Sequence, residues 1–448
     1  VPLFPAVIDK GMQLLKKLQG FIPQSRVKGL LADSIWQFSE MGVRMGLNLV
    51  VGALIARHLS TAGFGMLNYV AAVITFVFPL VKLGLDTVIL REIAVHPEKS
   101  GPVLTAATRI TSISGILGAA AIIGFAFLGG HEKDLTWALA VGALACIGNP
   151  LGVYYGVLRA NFHSGTIARF RMVLAFVFAA IRLGLVSAGA HAMAFVATVV
   201  AEEIVSNVIC YILCRRYSIL GTRDGSPEWK ARVKPLITAG FPLMLSFILI
   251  GVYSRLDVVM LEHMRGMTDT GIYAAGYKIS ELWNCIPGIF VGTFLPHFAK
   301  LRVSEPEAFH RIMRRFAAGF FWGSLGIVLF TVLAAPLLVK WLFGPDFLAA
   351  IPALRLHVLC FPAVCMGGLL GHWYILEEKP FHLVFASIVG LVVNAGFNYL
   401  WIMPYGAAGA SAATALSASV NVVAPLICFP QTRLMARTAL QGILLRIR

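Results

Sequence analysis

The sequence predicts an all-α polytopic membrane protein, with about twelve transmembrane helices in two six-helix bundles and both termini cytoplasmic. Composition is the first ground. Of 448 residues, 58% are hydrophobic and 13% charged, and the mean hydropathy is +0.81. Ordinary globular domains carry about 25% charged residues, and soluble cores in a chain of this length have no room for so much apolar surface. The second ground is the length of the apolar runs, about 20 residues or more, as hydrocarbon thickness demands of a spanning helix. A membrane barrel would show short alternating segments instead. The third is the placement of Lys and Arg, which crowd into every second loop.

In chain order the spans fall at approximately 34–56, 64–90, 104–129, 135–158, 167–188 and 191–214, then 236–261, 270–298, 316–342, 349–376, 381–403 and 407–429. Each ends at a charged or Gly/Pro-rich break. The N-terminus, the loops after even-numbered spans and the C-terminus hold most cations, among them Arg91, Arg159, Arg169, Arg171, Arg215, Arg232, Lys300, Arg314, Lys379 and Arg433. The opposite loops hold Arg57, Lys133, Arg265 and Lys340. This positive-inside bias sets both termini in the cytoplasm and accounts for the net charge of +16 without a nucleic-acid partner.

Five segments follow. A basic cytoplasmic N-terminal segment covers 1–33, an N-terminal bundle 34–214, a cytoplasmic linker 215–235 and a C-terminal bundle 236–430. A basic amphipathic tail, 431–448, is expected on the anionic inner leaflet. Residues 1–31 do not read as a secretory signal peptide. Six spans on either side of a hydrophilic linker is the layout of transporters built from two repeats.

Ionisable residues fall inside these spans: Glu40, Arg44, Lys82, Asp86, Arg182, Glu202, Glu203, Arg255, Asp257, Lys278, Glu281 and Arg355. At roughly 2.5–3.5 kcal/mol each at a helix centre, lipid exposure of the set would cost on the order of 30 kcal/mol. They therefore line a watery cavity or pair with one another. Glu40 and Arg44 stand four apart in the favourable order for an ion pair, with Gln37 and Asn48 extending the same face. Lys278 and Glu281, three apart, permit a second pair. Arg255 and Asp257 are two apart and must look to different neighbours. Inward guanidinium groups suit a phosphate-bearing substrate, whose oxygens they bind in a fork.

The seven cysteines lie almost all in apolar runs, with no CxxC and no His/Asp cluster, so no metal site, cofactor or catalytic residue is predicted. Prolines inside spans (Pro79, Pro150, Pro242, Pro287, Pro362 and Pro425) mark bends or cavity linings.

Two pairs of segments resemble a known family. IARHLSTAGFGMLNYVAA (55–72) with LGLDTVILREIAVHPEKSG (83–101), and FPLMLSFILIGVYSRLDVVMLEHM (241–264) with GIYAAGYKISELWNCIP (271–287), resemble the openings of the two halves of bacterial polysaccharide flippases. These carry O-antigen or exopolysaccharide repeat units and belong to the multidrug/oligosaccharidyl-lipid/polysaccharide exporter superfamily. The resemblance runs over essentially the whole chain. It implies two six-helix bundles about a pseudo-twofold axis along the membrane normal, in the bacterial cytoplasmic (inner) membrane. The implied cargo is an oligosaccharide on a polyprenyl pyrophosphate, flipped to the outer leaflet for surface polysaccharides such as lipopolysaccharide.

On matching positions, Glu40 and Arg44 look like the family's first-span acid–base pair. Asp86, Arg91 and Glu92 match its LGLD…RE element, Arg255 and Asp257 its RxD, and Lys278 and Glu281 flank its SELW start. Lys82 matches nothing in the pattern. The expected head-group cavity comprises Arg44, Arg255 and Lys278, with Arg182 and Arg355 nearer the outer side. Glu40, Asp86, Glu202, Glu203, Asp257 and Glu281 are the expected polar partners, or the groups that couple transport to protons or sodium ions. The expected partners are the lipid-linked oligosaccharide and membrane lipids, with polysaccharide assembly proteins as further candidates.

Two alternatives stand beside this reading. A cation-coupled multidrug exporter of the same superfamily would show unpaired acids around an amphipathic pocket. A membrane-embedded glycosyltransferase or polymerase would need convergent acids, and the cytoplasmic loops offer only the scattered Asp224, Glu228, Glu305 and Glu307.

Overall fold

The computed structural model describes residues 24–96, 100–161, 163–217, 228–377, 379 and 381–445. Residues 1–23 of the expected basic N-terminal segment lie outside them. Among the described residues there is no β-strand, and fifteen α-helices follow one another. They are α1 (Gln24–Lys82), α2 (Leu85–Val95), α3 (Ser100–Leu128), α4 (Lys133–Gly148), α5 (Val153–Ala160), α6 (Ser164–Ser187) and α7 (Ala192–Arg216), then α8 (Glu228–Arg265), α9 (Met267–Glu281), α10 (Cys285–Ser304), α11 (Pro306–Leu342), α12 (Ala350–His357), α13 (Phe361–Leu376), α14 (Phe381–Cys428) and α15 (Arg433–Ile443).

Nine helical stretches among the described residues are long and apolar enough to cross a membrane. Two of them are hairpins. The helical path of α1 breaks at Ser60 (φ 66°, ψ 175°) and that of α14 at Gly406 (φ 54°, ψ −132°). In α14 a Cβ on Gly409 would overlap the Trp401 carbonyl, which only a reversal permits. In α1, Lys278 Nζ lies 3.6 Å from the Cβ position of Gly52 and 4.6 Å from the Phe64 ring centroid. Those residues would stand about 18 Å apart along an unbroken helix. α9 and α10, joined by a 3-10 turn at Leu282–Asn284, occupy the stretch expected to hold the eighth span.

Some boundaries differ from the sequence expectation. The second arm of α1 stops at Lys82 rather than near residue 90, because Leu83 (φ 50°) and Gly84 (φ 67°) take left-handed conformations that end the hydrogen-bond ladder. Gly84 there abuts the Gly240 carbonyl, a contact that leaves no room for a Cβ. Residues 228–235, assigned above to the linker, are the first two turns of α8. Pro150 opens the 3-10 turn Asn149–Gly152 between α4 and α5, and Pro362 starts α13 after the turn Val358–Cys360.

The reversals at Ser60, Gly189, Gly266, Gly344 and Gly406 gather at one end of the molecule. His58 bonds the Ala190 carbonyl at 2.8 Å, Phe64 meets the rings of Phe343 and Phe347, and Arg265 donates to Met403 O. The opposite, basic end collects contacts such as Arg302 Nε to Glu377 at 2.9 Å and the stacking of His163 on Tyr217. There α15 buries Met435, Thr438, Ala439 and Gly442, with Gly442 against Arg314 of α11, and leaves Arg433, Arg437, Leu440 and Leu444 exposed.

The two sequence halves close on each other at the turn-rich end. α1 crosses α9 there at backbone contact: a Cβ on Gly271 would overlap the Thr61 carbonyl, and one on Gly65 the Met267 carbonyl. Ala53, Ala56 and Phe64 of α1 share one core with Leu261, Tyr273, Ala335 and Phe343. Lipid supplies no hydrophobic drive between helices, so close backbone packing of small residues does this work. Arg57 adds a clasp: its Nε donates to Leu342 O at 2.8 Å and a second nitrogen to Trp341 O, capping the C-terminal carbonyls of α11.

A leucine at Gly271 meets only backbone, which has no room to give. Its cost belongs at or above the upper end of the ~1–3 kcal/mol typical of overpacking. Gly124, with nothing within 4 Å of its Cβ position, is the control. Thermal unfolding of purified protein should show a clearly lower midpoint for Gly271→Leu and none of that loss for Gly124→Leu.

Candidate transport cavity

A cavity of about 460 Å³ opens at the basic end, between the first arm of α1, the first turn of α5 and the start of α6. Helical periodicity builds one wall: Gln37, Glu40, Arg44 and Asn48 recur at intervals of three and four and all face it, as their spacing predicts. Tyr155 and Arg171 supply the facing wall. Glu40 is the hub. Its side chain is 13% exposed, with Arg44 at 3.1 Å and Arg171 at 3.8 Å. The Arg171 guanidinium also lies over the Tyr155 ring, 5.5 Å from its centroid.

Sequence reasoning counted Arg171 among the loop cations. The signal that marks it was present, because residue 171 lies inside the fifth expected span. Lys82, unassigned by the sequence, pairs with Asp86 at 3.3 Å and lies within electrostatic reach of Glu203 and Arg171.

A second polar group sits between the halves. Arg182 of α6 bonds Glu202 of α7 at 2.7 Å and Thr198 at 3.1 Å. Arg255 of α8 pairs with Glu281 of α9 at 3.2 Å and lies over the Tyr277 ring. Glu281 is therefore taken by Arg255 rather than by Lys278. The Lys278 amine turns instead toward α1, where Gly52 presents no Cβ and Phe64 offers its ring. Lys278 has no ion pair or hydrogen bond among the described residues, yet stands within electrostatic reach of Arg182, Arg255 and Glu281.

Asp257, 4% exposed, has no cation at ion-pair distance among the described residues. It accepts from the Tyr273 hydroxyl, from Thr414 Oγ1 at 3.2 Å and from the Val258 N–H at 2.9 Å. Behind it, Asn394 donates toward Thr414 and Ser417 at 3.4 Å each, and Asn398 donates to Asn394 at 2.9 Å. The Asn398 side-chain oxygen is buried, with no hydrogen-bond partner among the described residues. Asn394, Asn398, Thr414 and Ser417 went unnoticed in the sequence, although the asparagines recur four apart in an otherwise apolar span. Arg355 stands apart from all of these: it is exposed and donates to Val332 O of α11 at 3.1 Å.

The same arrangement of helices is found in solved membrane transporters. A lipid II flippase MurJ in an inward closed conformation superposes with a TM-score of 0.70 at 12% identity, over 91% of this chain and 90% of that one. An inward-facing multidrug resistance MATE family transporter of the MOP superfamily gives 0.70 at 16% identity, over 90% and 98%. An outward-facing one gives 0.62 at 17%, over 91% and 96%. The fold thus defines the class, a multi-pass membrane protein with the helical architecture of the MOP superfamily of transporters. Residues 30–302 match the family described as polysaccharide biosynthesis protein, and the chain belongs to that family. No curated protein matches it by sequence.

Removing one member of the Arg182–Glu202 pair strands a charge in the membrane interior, a loss of up to about 3–5 kcal/mol for a fully buried pair. With side chains 11% and 21% exposed, this pair belongs below that limit. Arg182→Ala and Glu202→Ala should each lower the unfolding midpoint. The double variant should be more stable than additivity of the two losses requires, as a double-mutant cycle would show.

Proposed function

We propose that the protein flips an oligosaccharide linked to a polyprenyl pyrophosphate from the cytoplasmic to the outer leaflet of a bacterial inner membrane, for surface polysaccharide assembly. The observation that carries the reading is Lys278. It is a cation at the meeting of the two halves with no carboxylate partner among the described residues, about 12 Å along α1 from Arg44, the distance eight helical residues span. A pyrophosphate that enters beside Arg44 and Arg171 has a second cationic station there, flanked by Arg182 and Arg255. Placing the basic end in the cytoplasm by the positive-inside bias makes this a carrier open inward and closed outward by the α1–α9 crossing. Outward passage of negative charge is favoured by a cell-negative interior, by about 2.3 kcal/mol per charge per 100 mV.

Asp257 and its shell of hydroxyl and amide oxygens support a coupling role for protons or sodium ions. Among the described residues it is a buried carboxylate with no cation at ion-pair distance, whereas Glu40, Asp86, Glu202 and Glu281 are all engaged in pairs. The multidrug reading has less support, since the cytoplasm-facing cavity presents two arginines and a carboxylate already bound to both.

The decisive measurement is the sidedness of lipid-linked oligosaccharide in cells that make it. Loss of the protein should trap the lipid on the cytoplasmic leaflet, and the intact protein should clear it. Lys278→Ala should fail to clear it at normal protein levels, with at least a tenfold lower rate, as expected when a charge-assisted contact of about 1.5–3 kcal/mol is lost. Clearance by Lys278→Ala at the wild-type rate would remove the main support for the reading.

A further inference from the structure

A cationic cavity that opens to the inner leaflet faces a selection problem. Anionic phospholipids fill that leaflet, and each brings a phosphodiester that a free arginine would bind. The structure assigns the answer to Glu40, and the inference rests on the flippase reading above. We propose that Glu40 is a built-in counter-ion that sets the charge threshold for cargo: it keeps the guanidiniums of Arg44 and Arg171 occupied, so that singly charged phosphodiesters are refused and only a pyrophosphate displaces it.

The geometry carries this in three respects. Glu40 is shared, with guanidinium nitrogens of Arg44 at 3.1 Å and of Arg171 at 3.8 Å, one on α1 and one on α6. It is also the least exposed of the three, 13% against 34% and 29%, so the carboxylate lies behind the cations and the cations present their outer edges to the cavity. The remaining polar lining (Gln37, Asn48, Tyr155 and Ser164) is uncharged, so no other carboxylate of the cavity wall does the same work.

A tethered carboxylate competes at a high effective concentration, and an incoming monoanion offers the two arginines no more charge than they already hold. A pyrophosphate brings at least two charges and several terminal oxygens, enough to bridge both forks at once. Discrimination then comes from a repulsive element directed at the abundant competitor rather than from extra contacts to the cargo. Glu40 is on this account a specificity-determining residue, not a structural pair. Its removal should widen the range of lipids accepted.

The test uses purified full-length protein and two soluble probes, farnesyl pyrophosphate and dihexanoyl-phosphatidylglycerol, with their affinities taken as a ratio. Wild-type protein should prefer the pyrophosphate by at least about tenfold, and Glu40→Gln should bring that ratio down by about tenfold, by gaining affinity for the phosphodiester. Arg44→Gln, which leaves Glu40 to Arg171 alone, should weaken the pyrophosphate instead. Glu40→Asp, whose shorter arm keeps the charge but draws it back from Arg171, should fall between wild type and Glu40→Gln, and it serves where Glu40→Gln does not fold. A wild-type ratio near one, or a ratio that neither Glu40 variant moves, overturns the proposal while leaving the flippase reading intact. Failure of wild-type protein to bind farnesyl pyrophosphate at all overturns both.

Discussion

An ionised group in hydrocarbon costs several kcal/mol unless water or an opposite charge accompanies it, and that constraint arranges much of this molecule. Each half meets it in the same way, by a guanidinium on one helix paired with a carboxylate on the next: Arg182 with Glu202 across α6 and α7, Arg255 with Glu281 across α8 and α9. Such pairs fix which helices are neighbours and in what rotation, because a helix turned by a third of a revolution would present the charge to lipid. Where two guanidiniums, Arg44 and Arg171, share the single carboxylate of Glu40, the helices leave a cavity between them.

The seam between halves obeys a different rule. At the turn-rich end it is made of glycine, alanine and phenylalanine, with backbones touching at Gly65 and Gly271. Arg57 crosses it to bind carbonyls rather than carboxylates, and Lys278 crosses it to the Phe64 ring. At the basic end the first arm of α1 stands off from α5 and α6 around the cavity. One end is tight and largely apolar, the other polar and open.

Much of this was legible in the sequence, and the parts that were not share a cause. Periodicity within one helix exposed the Gln37–Glu40–Arg44–Asn48 wall, because residues three and four apart must share a face. The hairpin at Gly406 follows from a Pro-Tyr-Gly break. Which acid each cation takes was out of reach: Glu281 is three residues from Lys278 but bonds Arg255, a choice made by how α8 lies against α9 and by the gap that Gly52 leaves on α1. The end of α1 at Lys82 depends on left-handed Leu83, a residue whose type gives no warning of it. The oxygen cluster behind Asp257 draws on α8, α9 and α14 at once, and no single run of sequence contains it.

The cap that Arg57 places on α11 bears on how easily the two halves part at that end. It is fastened between exposed groups, where solvent can take over both the guanidinium and the freed carbonyls as they part. A hydrogen bond exchanged for water in this way contributes only about 0.5–1.5 kcal/mol net. The glycine crossing beneath it holds helices whose backbone groups are already bonded internally, so their separation leaves no orphaned donor or acceptor. Parting the halves at this end therefore forfeits few polar contacts, and two packings that differ by only a few kcal/mol lie within reach of a single ligand.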